Sequence, residues 1–425
     1  MIENCRVTPV CRKWSQDLRY GARMLFTQLS LTLLTFLALA SGNYVISAAN
    51  AFSAPSTVFT QTTTTSALDV RLVNDEAEAV LSILAKHAAQ QPITEADWQR
   101  VFASEGYVRL RQREASMKRP FEEDEFRAFV LSDKLATQRQ ALADTLAKWS
   151  QADMTRAGRL AQAYLPKGAR IRAKIYPVIK PRENSFVFDV KGDPAIFLYL
   201  DPTASREKFE NTLAHELHHI GYSSSCPSEA VAREIAAMPL NPQGVVKLIG
   251  AFGEGFAMLA AAGGPAIHPH AVSSAEDRAR WDRDVANFNA DLKTVEGFFL
   301  KILENQLSQE EIQKTASSFL GVQGPWYTVG WQMSVVIERA FGRGKLIECI
   351  CNQRKLLPTY NQAAAKLNRK SRQPLAVWSD SLLYTIKGGK HPPSPGTSAA
   401  TSNSFLAIHS QGAPPDPGGN LCGQR

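Results

Sequence analysis

Apolar residues in this chain change their rhythm twice, from a helical period to a strand period and back. Between positions 80 and 149 they recur at helical steps. Val80, Leu81, Ile83 and Leu84 mark a first helix. Thr94, with Asp97 three residues on, caps a second that carries Trp98, Val101 and Phe102. A third is predicted to run unbroken through Phe126, Phe129, Val130, Leu135, Leu142, Leu146 and Trp149. The period then shortens. Residues 171–179 alternate in part, and 186–190 and 195–201 are β-rich runs bounded by Gly and Pro, so three short strands are expected. A helix follows. Ser205 is a candidate N-cap, Phe209, Leu213, Ala214, Leu217 and Ile220 keep helical spacing, and Gly221 is a candidate stop.

Beyond that point the pattern is helical again. Cys226-Pro227 and Asn241-Pro242 each read as a helix start. An almost wholly apolar helix is expected over 245–262. Ser274, with Asp277 three residues on, opens a long helix through Trp281, Val285, Phe288, Leu292, Val295, Phe299 and Ile302, a stripe that reads as core. Residues 388–425 are dominated by Pro, Gly and Ser and are expected to form a disordered tail. The fold class expected is α+β and mostly helical, with a small sheet placed just before the 205–221 helix and a helical lobe at 73–165.

The first 54 residues read as a signal peptide or single-span membrane anchor. Positive charge collects before Arg23, and a long apolar run follows it. Ala38-Leu39-Ala40 and Ala49-Asn50-Ala51 both fit a small-x-small cleavage site. Charge on that side keeps the N-terminus inside, so the rest of the chain is expected outside the cytoplasm, anchored to the membrane or released. The stretch from Gln16 to Leu25, with Leu37-Ala38-Leu39-Ala40 after it, resembles the opening of certain bacterial transporter permeases, which supports membrane insertion and nothing more. Residues 55–72, rich in Ser and Thr, read as a linker leaving the membrane.

Net charge changes this picture little. The 425 residues carry +8, but much of the excess lies in the first 23 residues, and no basic stripe with interleaved aromatics follows. A nucleic-acid partner is therefore not expected. Six cysteines are present. Cys226, Cys349, Cys351 and Cys422 would face an oxidising space, yet their spacing shows no disulfide framework and no C-x-x-C zinc pattern, so buried or free thiols are expected.

The candidate chemistry is concentrated in His215-Glu216-Leu217-His218-His219. This is H-E-x-x-H with an extra histidine in the fourth place. Positions i and i+4 of a helix share a face, so His215 and His219 can both reach one Zn²⁺ at roughly 2.0–2.1 Å. Glu216 sits about 100° around the helix, beside the metal, where its carboxylate can take a proton from water. His218 reads as a supporting or packed histidine. His268-Pro269-His270 reads as a loop, because Pro forbids helical presentation. A catalytic zinc takes three protein ligands and leaves one position open. The longer H-E-x-x-H-x-x-G-x-x-H pattern fails, since Gly221 falls one residue early and Ser225 stands in the last place. A glutamate is therefore expected, and Glu229, Glu234 and Glu254 are the candidates. Glu254 is preferred because a carboxylate in an otherwise apolar helix is costly unless a cation pairs with it. Gly253, Gly255 and Ala257 would let that helix approach the histidine helix closely. Glu229 is the alternative.

These residues carry a resemblance. His215-Glu216-x-His218-His219 followed by Glu254-Gly255-x-Ala257 is similar to a group of largely uncharacterised bacterial zinc-dependent peptidases of the gluzincin kind. The run from Trp326 to Gln332, then Ile337-Glu338 and Gly342, resembles their C-terminal part, so the likeness spans roughly 165–365. It implies a zincin-like catalytic domain over 166–387, metal ligands at His215, His219 and Glu254, and a general base at Glu216. Tyr327, inside the family-like run and just after Pro325, is a candidate donor to the developing oxyanion, though a core tyrosine is the stronger reading of it. The function expected is zinc-dependent hydrolysis of peptide bonds in a peptide or protein substrate. The competing reading is a catalytically inert, membrane-tethered helical scaffold with a structural or lost zinc site. A zinc hydrolase acting on a non-peptide amide is a third.

Overall fold

A computed structural model describes residues 60–387 apart from 65, 66 and 120. The expected signal or anchor segment and the expected tail lie outside the described residues, as do Cys5, Cys11 and Cys422. The fold is α+β and mostly helical. Strands β1 (Thr60–Thr64) and β2 (Leu68–Val73) come first, followed by helices α1 (Asp75–Ala88), α2 (Glu95–Phe102), α3 (Glu105–Ser116), α4 (Glu123–Val130), α5 (Asp133–Trp149) and α6 (Met154–Gln162). Strands β3 (Ile171–Val178), β4 (Phe186–Phe188) and β5 (Ala195–Tyr199) lead into α7 (Arg206–Ser225). The remainder is helical: α8 (Glu229–Ala236), α9 (Leu240–Ile249), a 3-10 turn (Gly250–Phe252), α10 (Gly253–Ala262), α11 (Ala275–Ala286), α12 (Phe288–Leu303), α13 (Gln309–Ser318), α14 (Pro325–Phe341), α15 (Arg343–Ile350), α16 (Gln353–Asn368) and α17 (Asp380–Ile386).

The sheet has five strands in the order β1-β2-β3-β5-β4. β2 runs parallel to β3, with Leu68 opposite Ile171, and β3 runs parallel to β5, with Ile175 opposite Ile196. The two outer pairings are antiparallel. β3 explains the layering. Ile171, Ala173 and Ile175 face the main core, while Tyr176 and Val178 join Phe186, Phe197 and Leu110 on the other face. The second half of β3 is thus buried on both sides, as a central strand under helices must be. α7 lies on the first face against β3, flanked by α6 and α10.

Several expectations are corrected. The segment expected as a linker, 55–72, contributes β1 and most of β2; its Thr-rich run is β-branched and suits a strand. The helical stretch 73–165 does not pack as a lobe of its own: Val80, Trp98, Leu146 and Ala161 share one core with β3 and with Phe209 and Leu217 of α7. The third helix is two, α4 and α5, because Ser132 caps a new start by accepting from the Leu135 N–H. The long helix after Ser274 likewise breaks at Asn287 into α11 and α12. The helix expected after Cys226-Pro227 begins at Glu229, capped by Ser228. The capping box at Thr94 and the Ser205 cap are both formed.

Gly221 does not end α7, which continues to Ser225. A Cβ there would stand 2.2 Å from Leu165 Cδ1, so the glycine serves close packing of α7 on the segment before β3. The expectation of buried or free thiols holds for Cys349 and fails for Cys226 and Cys351. Cys226, which closes α7, is bonded to Cys351 at the end of α15, and Cys349 is free and buried. Leu240–Ala262 is long and apolar enough to cross a membrane by length and composition. Here it lies mostly inside the protein, as α9, a 3-10 turn and α10.

Candidate metal centre

The histidines stand midway along α7, whose buried side carries Phe209, Leu213, Leu217 and Ile220 toward the sheet core. That packing fixes the rotation of the helix and leaves His215 and His219 on the side toward α10. α10 is held in turn by Phe256, Leu259 and Ala260, which belong to the helical core of the C-terminal half. The two helices run antiparallel. The Asn211 amide donates to the Ala261 carbonyl at 3.2 Å, and farther along α7 the histidines meet Glu254.

The three side chains converge. His215 Nε2 lies 3.2 Å from Glu254 Oε2, His219 Nε2 lies 3.4 Å from Glu254 Oε1, and the two Nε2 atoms are 2.9 Å apart. All three ligand atoms lie within 4.8 Å of one another. Ligands about 2.0–2.1 Å from one tetrahedral ion stand roughly 3.3 Å apart, so the spacing fits a shared zinc. The protonation states fit as well. Burial drives the His215 pKa down, so its ring is neutral. Burial alone would raise the Glu254 carboxyl, but His219 and His215 hold it below the usual carboxylate range. Neutral imidazole and ionised carboxylate are the forms that bind a metal. One feature departs from the usual pattern. His215 Nδ1 is buried without a hydrogen-bond partner among the described residues, whereas a ligating histidine commonly donates from its second nitrogen. Helix packing sets the ring orientation instead.

Glu216 is 3% exposed, next in sequence to His215 and turned about 100° from it along the helix. His218 is also buried, with its ring against Phe256 at 4.9 Å between centroids, and burial pushes its pKa down to about 3. It is a neutral, packed histidine and does not join the cluster. The other glutamates considered are elsewhere: Glu229 is exposed and paired with Arg233, and Glu234 is paired with Arg354. Tyr327 is buried with Met258 and Trp281.

The flanking glycines act differently from expectation. A Cβ on Gly255 would lie 2.0 Å from the Trp331 backbone N and 2.2 Å from the Tyr327 carbonyl O, and one on Gly253 would meet nothing within 4 Å. Gly255 therefore lets α10 approach α14, not α7. Gly330 of α14 answers it, since a Cβ there would lie 2.5 Å from the Phe252 carbonyl O. His268-Pro269-His270 lies in a loop, as its proline implied, and sequence reasoning missed only that His270 and Lys208 bind this loop to α7 through Ser273. The odd pairing of two histidines around Pro269 was the available signal.

A family model described as "Putative zinc dependent peptidase (DUF5700)" matches residues 86–369, well over half of the chain. The match includes the histidine helix and Glu254 and reaches back through the helical stretch that the 165–365 resemblance left out. No curated protein and no solved structure matches the chain.

Proposed function

The chain belongs to this family, and on that premise we propose that it hydrolyses peptide bonds with zinc held by His215, His219 and Glu254 and with Glu216 as general base. The observation that carries this reading is the convergence of two imidazole nitrogens and one carboxylate, drawn from two helices, within 4.8 Å. Bound there, zinc would polarise the scissile carbonyl and acidify water. Glu216 accepts the proton of the attacking water on its carboxylate and returns it to the leaving amine nitrogen. Its burial keeps competing solvent away from that proton. β4 is an outer strand of the sheet and lies against α7, where a main-chain edge suits an extended peptide. The Cys226–Cys351 bond supports an oxidising, extracytoplasmic setting, since such bonds are rare in the cytosol.

The test is Glu216→Gln. Zinc content by elemental analysis should stay at the wild-type level while hydrolysis of a peptide library falls about 10³-fold. Undiminished hydrolysis would remove Glu216 as the base. A wild-type protein that binds zinc and cleaves no peptide would leave the inert scaffold standing.

A further inference from the structure

The chain that leaves α10 does not go straight to α11. It turns at Gly263 (φ 91°) and runs to Ser274, and on the way it is pinned to the helix that bears the two histidines. Lys208 of α7 lies seven residues before His215 and so shares its face. Its ammonium donates to Ser273 Oγ at 2.9 Å, and its charge is felt at His215. Next to Ser273 stands His270, which is 2% exposed, with its ring 5.2 Å from that of Trp281. Trp281 in turn packs on Met258, one helical turn after Glu254 on α10. His270 is thereby held between the ligand-bearing face of α7 and that of α10, on the side toward the start of α7.

The proton positions around His270 follow from its partners. His270 Nδ1 lies 3.0 Å from Ser273 Oγ. An ammonium has only donors, so Ser273 Oγ accepts from Lys208, and it still has a second lone pair and its own hydrogen, either of which can pair with Nδ1. Burial, with Lys208 nearby, pulls the His270 pKa down to about 4, so the ring is neutral near pH 7. With Ser273 donating to Nδ1, the ring's one proton sits on Nε2. That N–H is buried and has no acceptor among the described residues. Trp331 Nε1, which stands beyond Trp281 at a ring separation of 5.7 Å, is a second buried donor without a partner. Unpaired buried donors are costly and rare in native interiors. His270 and Trp331 both stand against Trp281, which packs on Met258 one turn after Glu254, so an acceptor brought to this side of the cluster would satisfy them.

We propose that His270 is a substrate-binding residue whose Nε2–H donates to a backbone carbonyl of the bound peptide, on the side of the metal site toward the start of α7. This rests on the peptidase reading above. Main-chain carbonyls recur in every peptide, so the contact anchors the substrate without selecting its side chains. Ser273 and Lys208 act through His270, as positioning residues that keep the proton on Nε2.

The test uses the full-length, zinc-loaded protein. His270→Phe should raise KM for a peptide substrate about 10-fold, the effect of one lost hydrogen bond, with kcat and zinc content within twofold of wild type. His270→Gln, which keeps an N–H donor, should recover most of that loss. Long-range 1H–15N spectra should place the His270 proton on Nε2. The same nitrogen should shift when uncleaved peptide is added to Glu216→Gln protein. An unchanged KM in His270→Phe, equal losses in the two variants, or a proton on Nδ1 would overturn the proposal. Should His270→Phe fail to fold or to hold zinc, Ser273→Ala decides, with a mixed tautomer and a severalfold higher KM expected and an unaltered tautomer and KM contradicting it. Wild-type protein that cleaves peptides while the His270 variants match it removes this inference alone. Wild-type protein that cleaves none removes the peptidase reading and this inference together.

Discussion

The part of the molecule before α7 and the part after it bury their apolar side chains in different ways. The first is organised by a sheet. Leu68, Val70 and Leu72 of β2 and Ile171, Ala173 and Ile175 of β3 point to one side at a period of two, and helices cover them. The second has no strand among its described residues. Its core is a stack of large rings, with Phe252 5.1 Å from Trp326 and Phe299 6.1 Å from Trp378 between centroids, carried on helices and, for Trp378, on the segment that leads into the last of them. The candidate metal site takes its histidines from the helix that closes the first core and its carboxylate from a helix of the second. A donor set divided in this way would make a bound ion a clamp across a seam, since neither half alone supplies all three candidate ligands.

The strongest challenge to that view is Glu254→Ala. It leaves both cores intact and removes the second half's share of the clamp. Zinc affinity should fall by more than the roughly 10–100-fold that loss of an outer-shell partner costs. Chelation should lower the melting temperature of the wild type, since binding to the folded state stabilises by mass action, and should leave that of Glu254→Ala where it was. Calorimetry with and without chelator reads both. Equal wild-type curves under the two conditions would mean that the halves hold together without the ion.

A covalent tie crosses the same seam. Cys226 ends α7 and Cys351 ends α15, 125 residues apart in sequence. Replacing both with Ser should cost about 2–4 kcal/mol in urea unfolding, chiefly because a long loop is no longer closed in the unfolded chain. The zinc site should survive in the oxidised wild type and weaken in the double variant, because the last turn of α7 lies just beyond His219. An unmoved urea midpoint would show that packing alone fixes the seam.

The contrast between the halves also sets what could be read in advance. Local features were legible. His215 and His219 are four residues apart, so the helix that pairs them is written in the spacing itself. Ser205 and the Thr94–Asp97 box announce helix starts by chemistry that spans three residues. Glu254 could be singled out because a carboxylate in so apolar a run demands a partner. Nonlocal features were not legible. β2 pairs with a strand a hundred residues later and β1 pairs with β2, and a Thr-rich run of that kind also reads as a linker. The bond between Cys226 and Cys351 depends on where two helix ends meet, which no spacing rule records. The breaks at Ser132 and Asn287 were hidden because the apolar stripe continues across each of them, at Ser132 within one core and at Asn287 from the cluster of Trp281 into the core of Phe288 and Leu292. Gly221 and Gly255 were misread for one reason: glycine at a helix end and glycine at a helix crossing look alike in sequence, and only the neighbour across the gap tells them apart.

That last ambiguity gives the finest test of the comparison. Gly253 and Gly255 flank the candidate ligand at equal distance, yet only Gly255 faces α14. In Gly255→Ala the new methyl would meet the Trp331 nitrogen and the Tyr327 carbonyl oxygen, which are backbone atoms and cannot swing aside. α10 must then shift away from α14, at a cost of about 1–3 kcal/mol, and it carries Glu254 with it, so zinc affinity should fall together with stability. Gly253→Ala adds a methyl to open space in the first turn of the helix and should be neutral or stabilise by about 0.4–1 kcal/mol. Chemical denaturation and zinc titration of the two variants side by side measure both effects. Equal behaviour of the pair would mean that the α10–α14 contact does not set the position of the carboxylate, and that the second core supplies Glu254 without holding it in place.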